Sequence, residues 1–195
     1  MYRRARTPVL VVLAFLVSAC TAPPAPKDVF YRFSPPSPAP LDIAGDIAIR
    51  TLGAEGIYNE RALLYSDDAE HRSVSQYSYR FWVKSPPRLM QDYLTDWLRS
   101  AATGAKVVGY DGGDNAVVIG GQIRQFEIEQ GKDSWRAVVA IDLEVRRVGS
   151  RAPALVKGYR WVVQTPAQDF LATVKGFQQA TDGILEEFAA DLAAH

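Results

Sequence analysis

The chain has 195 residues, 48% of them hydrophobic, and its 22 basic and 22 acidic residues balance at neutral pH. This length and composition suffice for one domain with a core of its own. The balanced charge excludes the clustered basic surface that nucleic-acid binding requires, so no nucleic-acid partner is expected.

Residues 1–19 have the pattern of a secretory signal peptide. Three arginines in the first six residues precede an apolar run over residues 9–17, which is too short to span a bilayer, and small residues lead to Cys20. Cys20 is the only cysteine, so it cannot form an internal disulfide. The segment resembles the lipobox of bacterial lipoproteins, which implies cleavage before Cys20 and a lipid on its sulfur. An ordinary secreted protein with an unused cysteine is the alternative.

Thr21 follows Cys20, where aspartate is the usual signal for retention in the inner membrane. The resemblance therefore implies attachment to the outer membrane, with the body of the protein in the periplasm. Residues 21–40 are rich in proline, which favours extended backbone. Because residues 29–33 read as a strand, we predict a tether over residues 20–28 and one domain over residues 29–195. At about 3.1 Å per residue, the free part of this tether, residues 21–28, spans roughly 25 Å.

The rest of the chain predicts strands, a helix, strands and a second helix. Alternating or continuous apolar runs predict strands over residues 46–52, 62–65, 73–83, 106–110, 116–130, 135–145 and 155–163. The first helix begins at Pro86-Pro87 and ends at Gly104. The second covers residues 167–193, where Gly176 and Gly183 are expected to weaken or bend it. We predict an α+β two-layer sandwich, with two amphipathic helices packed on a mixed, largely antiparallel sheet.

Two strands carry irregular or aromatic patterns. The apolar positions of strand 116–130 change phase, which predicts a bulge near Arg124 and Gln125. In strand 73–83, four apolar residues share one face: Tyr77, Tyr79, Phe81 and Val83. Trp82 has the opposite parity, so it either packs under a loop or the second layer, or lies on the surface as a contact residue.

Residues that could support catalysis or metal binding are few. His71 lies in an acidic loop and His195 ends the chain, so neither suggests a triad or a zinc site. The acidic run Asp67-Asp68-x-Glu70 reads as a solvated loop rather than a cation site. Neither a phosphate-binding glycine pattern nor a Gly-x-Ser-x-Gly elbow occurs, so no cofactor is expected beyond the lipid.

Paired carboxylates occur once on a predicted strand. Asp142 and Glu144 share a face with Arg136 and Arg146. Such a pair could perform acid–base chemistry. The preferred interpretation is a charged sheet face paired across strands with arginines, namely Arg124 and Arg160.

The ordered motifs resemble one family. Phe30-Tyr31-Arg32-Phe33, Tyr58-x-x-Arg61-Ala62-Leu63-Leu64-Tyr65 and Tyr77-x-x-x-x-Trp82-x-x-x-Pro86 follow the lipobox and tether. This order is similar to that of the ABC-type transport auxiliary lipoproteins, which include the paraquat-inducible lipoprotein of MCE lipid-transport systems. The likeness extends over residues 30–192. An acidic residue that the family often has between the tryptophan and the proline is absent here, where Lys84 and Ser85 stand.

The resemblance implies a non-enzymatic accessory role in the transport of lipids or other hydrophobic compounds. The implied partners are a periplasmic MCE-domain protein with its permease and ATPase, and homo-oligomers are possible. Trp82 and Tyr65 are the candidate partner contacts. Two alternatives remain open: a periplasmic carrier of lipid or hydrophobic ligand, suggested by the many aromatic residues, and a hydrolase that uses Asp142 and Glu144.

Overall fold

The computed structural model describes residues 26–42, 45–68, 70, 72–102, 104–113, 117–147 and 149–194. The predicted signal peptide, the predicted lipidation site Cys20 and both histidines, His71 and His195, lie outside the described residues. Of the predicted tether, residues 26–28 are described, and all three are exposed.

The described residues form nine strands and two α-helices, which confirms the predicted α+β class. The strands are β1 Val29–Tyr31, β2 Ile47–Ile49, β3 Gly53–Ala54, β4 Ala62–Ser66, β5 Ser75–Trp82, β6 Val107–Gly109, β7 Val117–Gln130, β8 Ser134–Arg147 and β9 Leu155–Pro166. The helices are α1 Pro86–Ala101 and α2 Phe170–Ala194, and a 3-10 turn covers Gly56–Asn59.

The sheet is built on β7. One edge of β7 pairs with β8 in antiparallel fashion, from Val117 opposite Arg147 to Gln130 opposite Trp135, and β8 in turn pairs with β9. The other edge takes β2, β3 and β4 one after another, all parallel to β7. Strands β5 and β1 continue beyond β4, and β6 continues beyond β2. Among the described residues, β9 therefore forms one edge of the sheet and β1 and β6 form the other.

The predicted strand over residues 46–52 is replaced by β2 and β3. Ile47 of β2 pairs with Val117, whereas Gly53 of β3 pairs with Gln122. The two registers differ by one residue, so a single continuous strand cannot make both pairings. The chain leaves the sheet between β2 and β3, and its pairing with β7 is shifted by one residue when it returns.

The predicted bulge in β7 is confirmed at Arg124. The pairing with β8 shifts between Ile123 and Gln125, so that odd-numbered side chains before the bulge and even-numbered ones after it face the helices. Ile123 and Phe126 are both buried on that side.

Both helices lie on one face of the sheet and contact each other. All six residues of the predicted stripe of α1 are buried: Leu89, Met90, Tyr93, Leu94, Trp97 and Leu98. The stripe of α2 is buried apart from Phe170, which is half-buried. Between the helices, the Tyr93 hydroxyl donates to Asp182 at 2.7 Å, and the Thr181 hydroxyl lies 3.6 Å from the Met90 sulfur.

The glycines of α2 bring the helix close to the sheet. A Cβ on Gly176 would lie 2.7 Å from Cγ2 of Thr165, and a Cβ on Gly183 would lie 2.5 Å from the ring of Trp161. Both distances are well inside the roughly 3.5–4.0 Å of ordinary carbon contacts. Their role is thus close packing against β9, which helical periodicity alone does not indicate.

The aromatic face predicted for β5 is only partly correct. Tyr79 and Phe81 point to the outer face, the side of the sheet opposite the helices, but the ring of Tyr77 lies 5.0 Å from that of Phe170 on α2. The pairing of β5 with β4 shifts between Ala62 and Leu64. This irregularity changes the phase of β5, so strict alternation does not hold along it.

Candidate functional site

Trp82, the first candidate contact residue, lies at the end of β5 and is only 1% exposed. Its ring lies 5.3 Å from those of both Phe126 on β7 and Phe177 on α2, edge-on in each case. Those two rings stack on each other at 4.7 Å. Trp82 thus packs under the second layer, and the alternative of an exposed contact residue is wrong, because α2 covers the face of β5 to which Trp82 points.

Tyr65, the second candidate, is half-buried on β4. Its ring lies 4.6 Å from that of Tyr77, whose hydroxyl oxygen accepts a hydrogen bond from Nε2 of Gln130. Burial raises the pKa of Tyr77 to about 12, so its hydroxyl is protonated at physiological pH. Tyr65 is thus only partly covered, and its contact with a partner stays a prediction.

The carboxylates of Asp142 and Glu144 are both held by arginines on the outer face. Nε of Arg124 donates to Asp142 at 2.6 Å, and this bond raises the pKa of Arg124. Glu144 pairs with Arg146 and with Arg50, the latter at 3.4 Å. Each carboxylate has at least one arginine partner, as a sheet face with charge pairs matched across strands requires. The geometry therefore favours the paired sheet face over the hydrolase interpretation.

Two buried acids on the outer face escaped the sequence analysis. Glu129 is 5% exposed, and its carboxylate lies 2.7 Å from Arg136 and 3.3 Å from Arg160. Glu127 is also buried; it accepts hydrogen bonds from the Tyr58 hydroxyl at 2.6 Å and from Nε2 of Gln125 at 2.9 Å. The alternation along β7 indicates their face but not their burial, because the covering side chains of Tyr58 and Arg160 come from distant segments.

The acidic loop after β4 uses its central carboxylate to hold itself together. Asp68 accepts hydrogen bonds from the backbone N–H groups of Glu70, Arg72 and Ser73 and from the Ser73 hydroxyl. The Ser73 hydroxyl bond is the largest of the effects that lower the pKa of Asp68. These contacts give Asp68 a structural role within the loop.

Two open grooves border α1. The larger, about 1040 Å³, lies between residues 32–36 and α1, and its walls carry charged side chains of both signs: Arg32, Lys84, Asp92, Asp96 and Arg99. The smaller, about 280 Å³, is mainly apolar and is lined by residues 39–41, Trp97 and the end of α2. Both are surface grooves, whereas the space between the helices and the sheet is filled by the aromatic core.

The edge strand β9 is the longest exposed edge in the described part of the chain. It pairs with β8 alone, and its outer side chains include Val156, which is 65% exposed, and Val162. On the helix side, the Lys157 ammonium is held by Glu187 at 3.0 Å and Asp191 at 2.8 Å. The sequence of β9 contains two cationic residues, Lys157 and Arg160, and no acidic one. An unpaired edge of this kind can accept a further strand.

Two further kinds of feature are absent from the described residues. None of their helices combines the length and the apolar character needed to cross a membrane. Within the same residues, no three His, Cys, Asp or Glu side chains come together as a group that could hold a metal ion.

A family model described as the ABC-type transport auxiliary lipoprotein component matches residues 33–189. This match covers most of the chain and confirms the resemblance drawn from the ordered motifs. No curated protein matches the chain.

Two solved structures share the fold. The crystal structure of a DUF330 protein from Xanthomonas campestris superposes with a TM-score of 0.67 at 12% identity, covering 82% of this chain and 92% of that one. The crystal structure of an uncharacterized protein gives 0.65 at 11% identity, covering 86% and 99%. The PelC dodecamer from Paraburkholderia phytofirmans matches at 12% identity over 78% of this chain and 92% of that one, with a TM-score of 0.44, too low to support an argument about assembly. At these identities, the first two show the fold alone.

Proposed function

This chain belongs to the family of ABC-type transport auxiliary lipoprotein components, and from that premise we propose that it is the outer-membrane-anchored docking subunit of an MCE-linked lipid transporter. The observation that carries the proposal is the family match over residues 33–189. In this role the ATPase supplies the energy, the permease and the MCE protein form the path, and this subunit connects them to the outer membrane.

The anchor is the lipid on Cys20, and Thr21 directs it to the outer membrane. Growth with a clickable fatty acid is expected to label the wild-type protein and leave Cys20→Ala unlabelled. Thr21→Asp is expected to keep the label and to shift the protein to inner-membrane fractions on a density gradient. Labelling of Cys20→Ala would contradict the anchor, and a Thr21→Asp protein that stays in outer-membrane fractions would contradict the sorting.

The edge of β9 is the docking surface that the fold supports best. A partner segment that adds to β9 gains backbone hydrogen bonds along the strand, and its side chains set the specificity. Because Lys157 and Arg160 are already paired within the chain and the exposed side chains of β9 include Val156 and Val162, the matching segment is expected to be mainly apolar. A segment of the MCE protein is the expected occupant.

Site-specific photocrosslinking in cells tests this surface. A photoreactive amino acid replaces Val162 on β9, and the matched control replaces Tyr110, which is similarly exposed but follows β6 at the opposite edge of the sheet. Crosslinks to an MCE protein from position 162 and not from position 110 are expected. Crosslinks from position 162 to a second copy of this chain alone would assign β9 to self-association. Recovery of no transporter subunit from either position would count against the docking role.

The carrier alternative receives less support from the packing. An enclosed ligand would have to separate α2 from the sheet, where Gly176 and Gly183 hold the helix in direct contact with Thr165 and Trp161. Native mass spectrometry of the purified lipoprotein is expected to show the mass of the acylated chain alone. A bound lipid retained beyond the anchor would revive the carrier interpretation.

A further inference from the structure

An exposed aromatic patch lies where the chain enters the folded part of the molecule. Phe30, on the edge strand β1, is 50% exposed, and Tyr79, on β5, is 41% exposed. The ring of Phe81 stacks on that of Phe30 at 5.5 Å. We name these three side chains, together with Arg61, the tether-end patch.

Arg61 completes the patch with a fixed charge. Its guanidinium carbon lies 5.3 Å from the centre of the Phe30 ring, and its Nε donates to the carbonyl oxygen of Trp82 at 3.1 Å. An arginine held over an aromatic ring presents apolar surface and phosphate-binding N–H groups side by side. Phe30, Phe81 and Arg61 line a shallow surface groove that Asp28 and Glu60 also border, so the local charge is mixed.

The position of the patch relative to the anchor identifies its occupant. Cys20 precedes Val29, the first residue of β1, by only nine residues. An extended chain covers at most about 3.6 Å per residue, so the patch cannot be more than roughly 30 Å from the lipidated end. Aromatic rings beside a cationic group suit the boundary between headgroups and acyl chains.

We propose that the tether-end patch rests on the phospholipid surface to which the protein is anchored, so that Phe30 and Tyr79 enter the headgroup region. This inference rests on the proposed anchoring at Cys20. Because acidic residues offset Arg61, aromatic contact rather than net charge provides the binding. The orientation places the opposite end of α2, with the start of β9, away from the membrane.

The far end of the molecule supplies a matched control. Phe170 at the start of α2 lies next to Tyr31 of β1, whereas Asp191 near its end holds Lys157 of β9. The helical rise of about 1.5 Å per residue separates these ends by roughly 30 Å. Val156, adjacent to Lys157 in sequence, is therefore an exposed apolar side chain far from the patch.

Fluorescence quenching in vesicles tests the proposal. Cys20 is the only cysteine and its sulfur is occupied by lipid, so an introduced cysteine is the single reactive thiol. Ser78→Cys, whose serine borders the same groove and whose replacement leaves Phe30 intact, and the control Val156→Cys each receive an environment-sensitive fluorophore. The full-length lipoproteins are placed in phosphatidylethanolamine–phosphatidylglycerol vesicles that contain a lipid with a nitroxide near its headgroup.

A loss of fluorescence at position 78 and none at position 156 is expected, and Phe30→Asp in the Ser78→Cys background is expected to restore the signal. Equal quenching at both positions, or none at position 78, would overturn the patch proposal. A change in the fluorescence at position 78 that appears only after an MCE protein is added would also overturn the proposal. The patch would then be a contact with a protein and not with the membrane. Flotation with the vesicles reports the anchor separately, and a chain that fails to float overturns the anchor and the patch together.

Discussion

The two faces of the sheet bury their side chains by different means. The helix side is filled by rings and aliphatic groups, with Trp82 edge-on to both Phe126 and Phe177. The outer face buries carboxylates, and Glu129 lies between Arg136 and Arg160. Apolar packing depends on volume and tolerates few changes of size, whereas a buried charge depends on its particular partners. Substitutions should therefore affect the two faces in different ways.

Truncation of the central ring is expected to have the largest effect. Trp82→Ala removes a buried indole and leaves a cavity among Phe126, Phe177 and Phe33, which should lower the free energy of unfolding by about 3–5 kcal/mol. Urea unfolding followed by circular dichroism measures the change. Tyr79→Ala, an exposed aromatic on the same strand, is the control and should change stability far less. Equal losses for both variants would place Trp82 outside the core.

Enlargement on the same face is expected to come next. Gly176→Ala gains about 1 kcal/mol of helix propensity, but its Cβ meets Thr165, and overpacking costs about 1–3 kcal/mol. A net loss of stability is expected in thermal unfolding. Gln179→Ala, on the exposed side of α2, should not destabilise the protein. A stabilised Gly176→Ala variant would show that the helix can move away from β9 without cost.

On the outer face, loss of one donor should have a moderate effect. Tyr58→Phe removes the hydroxyl that donates to buried Glu127, at a cost of about 1 kcal/mol, the net worth of a typical hydrogen bond. Tyr79→Phe removes an exposed hydroxyl and serves as the control in the same unfolding assay. A Tyr58→Phe protein as stable as this control would show that Gln125 alone satisfies Glu127.

Alkaline pH should reveal the buried tyrosines on both faces. Burial raises the pKa of four tyrosines: Tyr58, Tyr77, Tyr93 and Tyr159. The unfolded chain loses these protons near the ordinary value of 10.0, whereas folded Tyr77 keeps its proton up to about 12. Between pH 10.0 and about 12, the unfolded state binds fewer protons than the folded state. The free energy of unfolding therefore falls as pH rises through this range. Unfolding midpoints across this range, alongside tyrosinate absorbance, measure the slope. Tyr93→Phe should reduce it, and an unchanged slope would contradict the raised pKa of Tyr93.

The smallest effect is expected from the exposed charge pairs. Asp142→Asn combined with Glu144→Gln removes three exposed or half-exposed ion pairs, which contribute little in water. The unfolding midpoint and the phenotype of a complemented deletion strain should both stay at wild-type values. A lost phenotype in a stably folded variant would return the hydrolase interpretation to consideration.

Local patterns predicted most of the fold because they arise from contacts near in sequence. The stripe on α1 and the phase change at Arg124 both follow from periodicity, and both are confirmed. The prediction that Trp82 and Tyr79 point to opposite faces of the sheet is also confirmed. Which of the two faces is buried depends on where α2 packs, and this long-range fact left the place of Trp82 open.

The surfaces proposed here could not be read from the sequence alone. The exposure of Phe30 depends on its position on an edge strand, and the burial of Glu129 depends on Arg160 from β9. Side chains separated by many residues in the chain create both features. The ordered motifs, in contrast, predicted the family because they preserve spacing, which does not require a knowledge of contacts.

The parallel pairing of β1 with β5 has a mechanical consequence. Only three residues, Val29 to Tyr31, join β1 to the sheet, and β1 is the first strand of the described residues after the proposed anchor at Cys20. Tension between a membrane held at Cys20 and a partner held elsewhere on the domain would load this short joint before any strand of the β7–β8–β9 ribbon. Detachment of β1 from β5 would lengthen the extended segment between Cys20 and the domain, and the β7–β8–β9 part of the sheet would stay folded. Local detachment of β1 would thus protect the core from unfolding when the two ends of a transport assembly move apart.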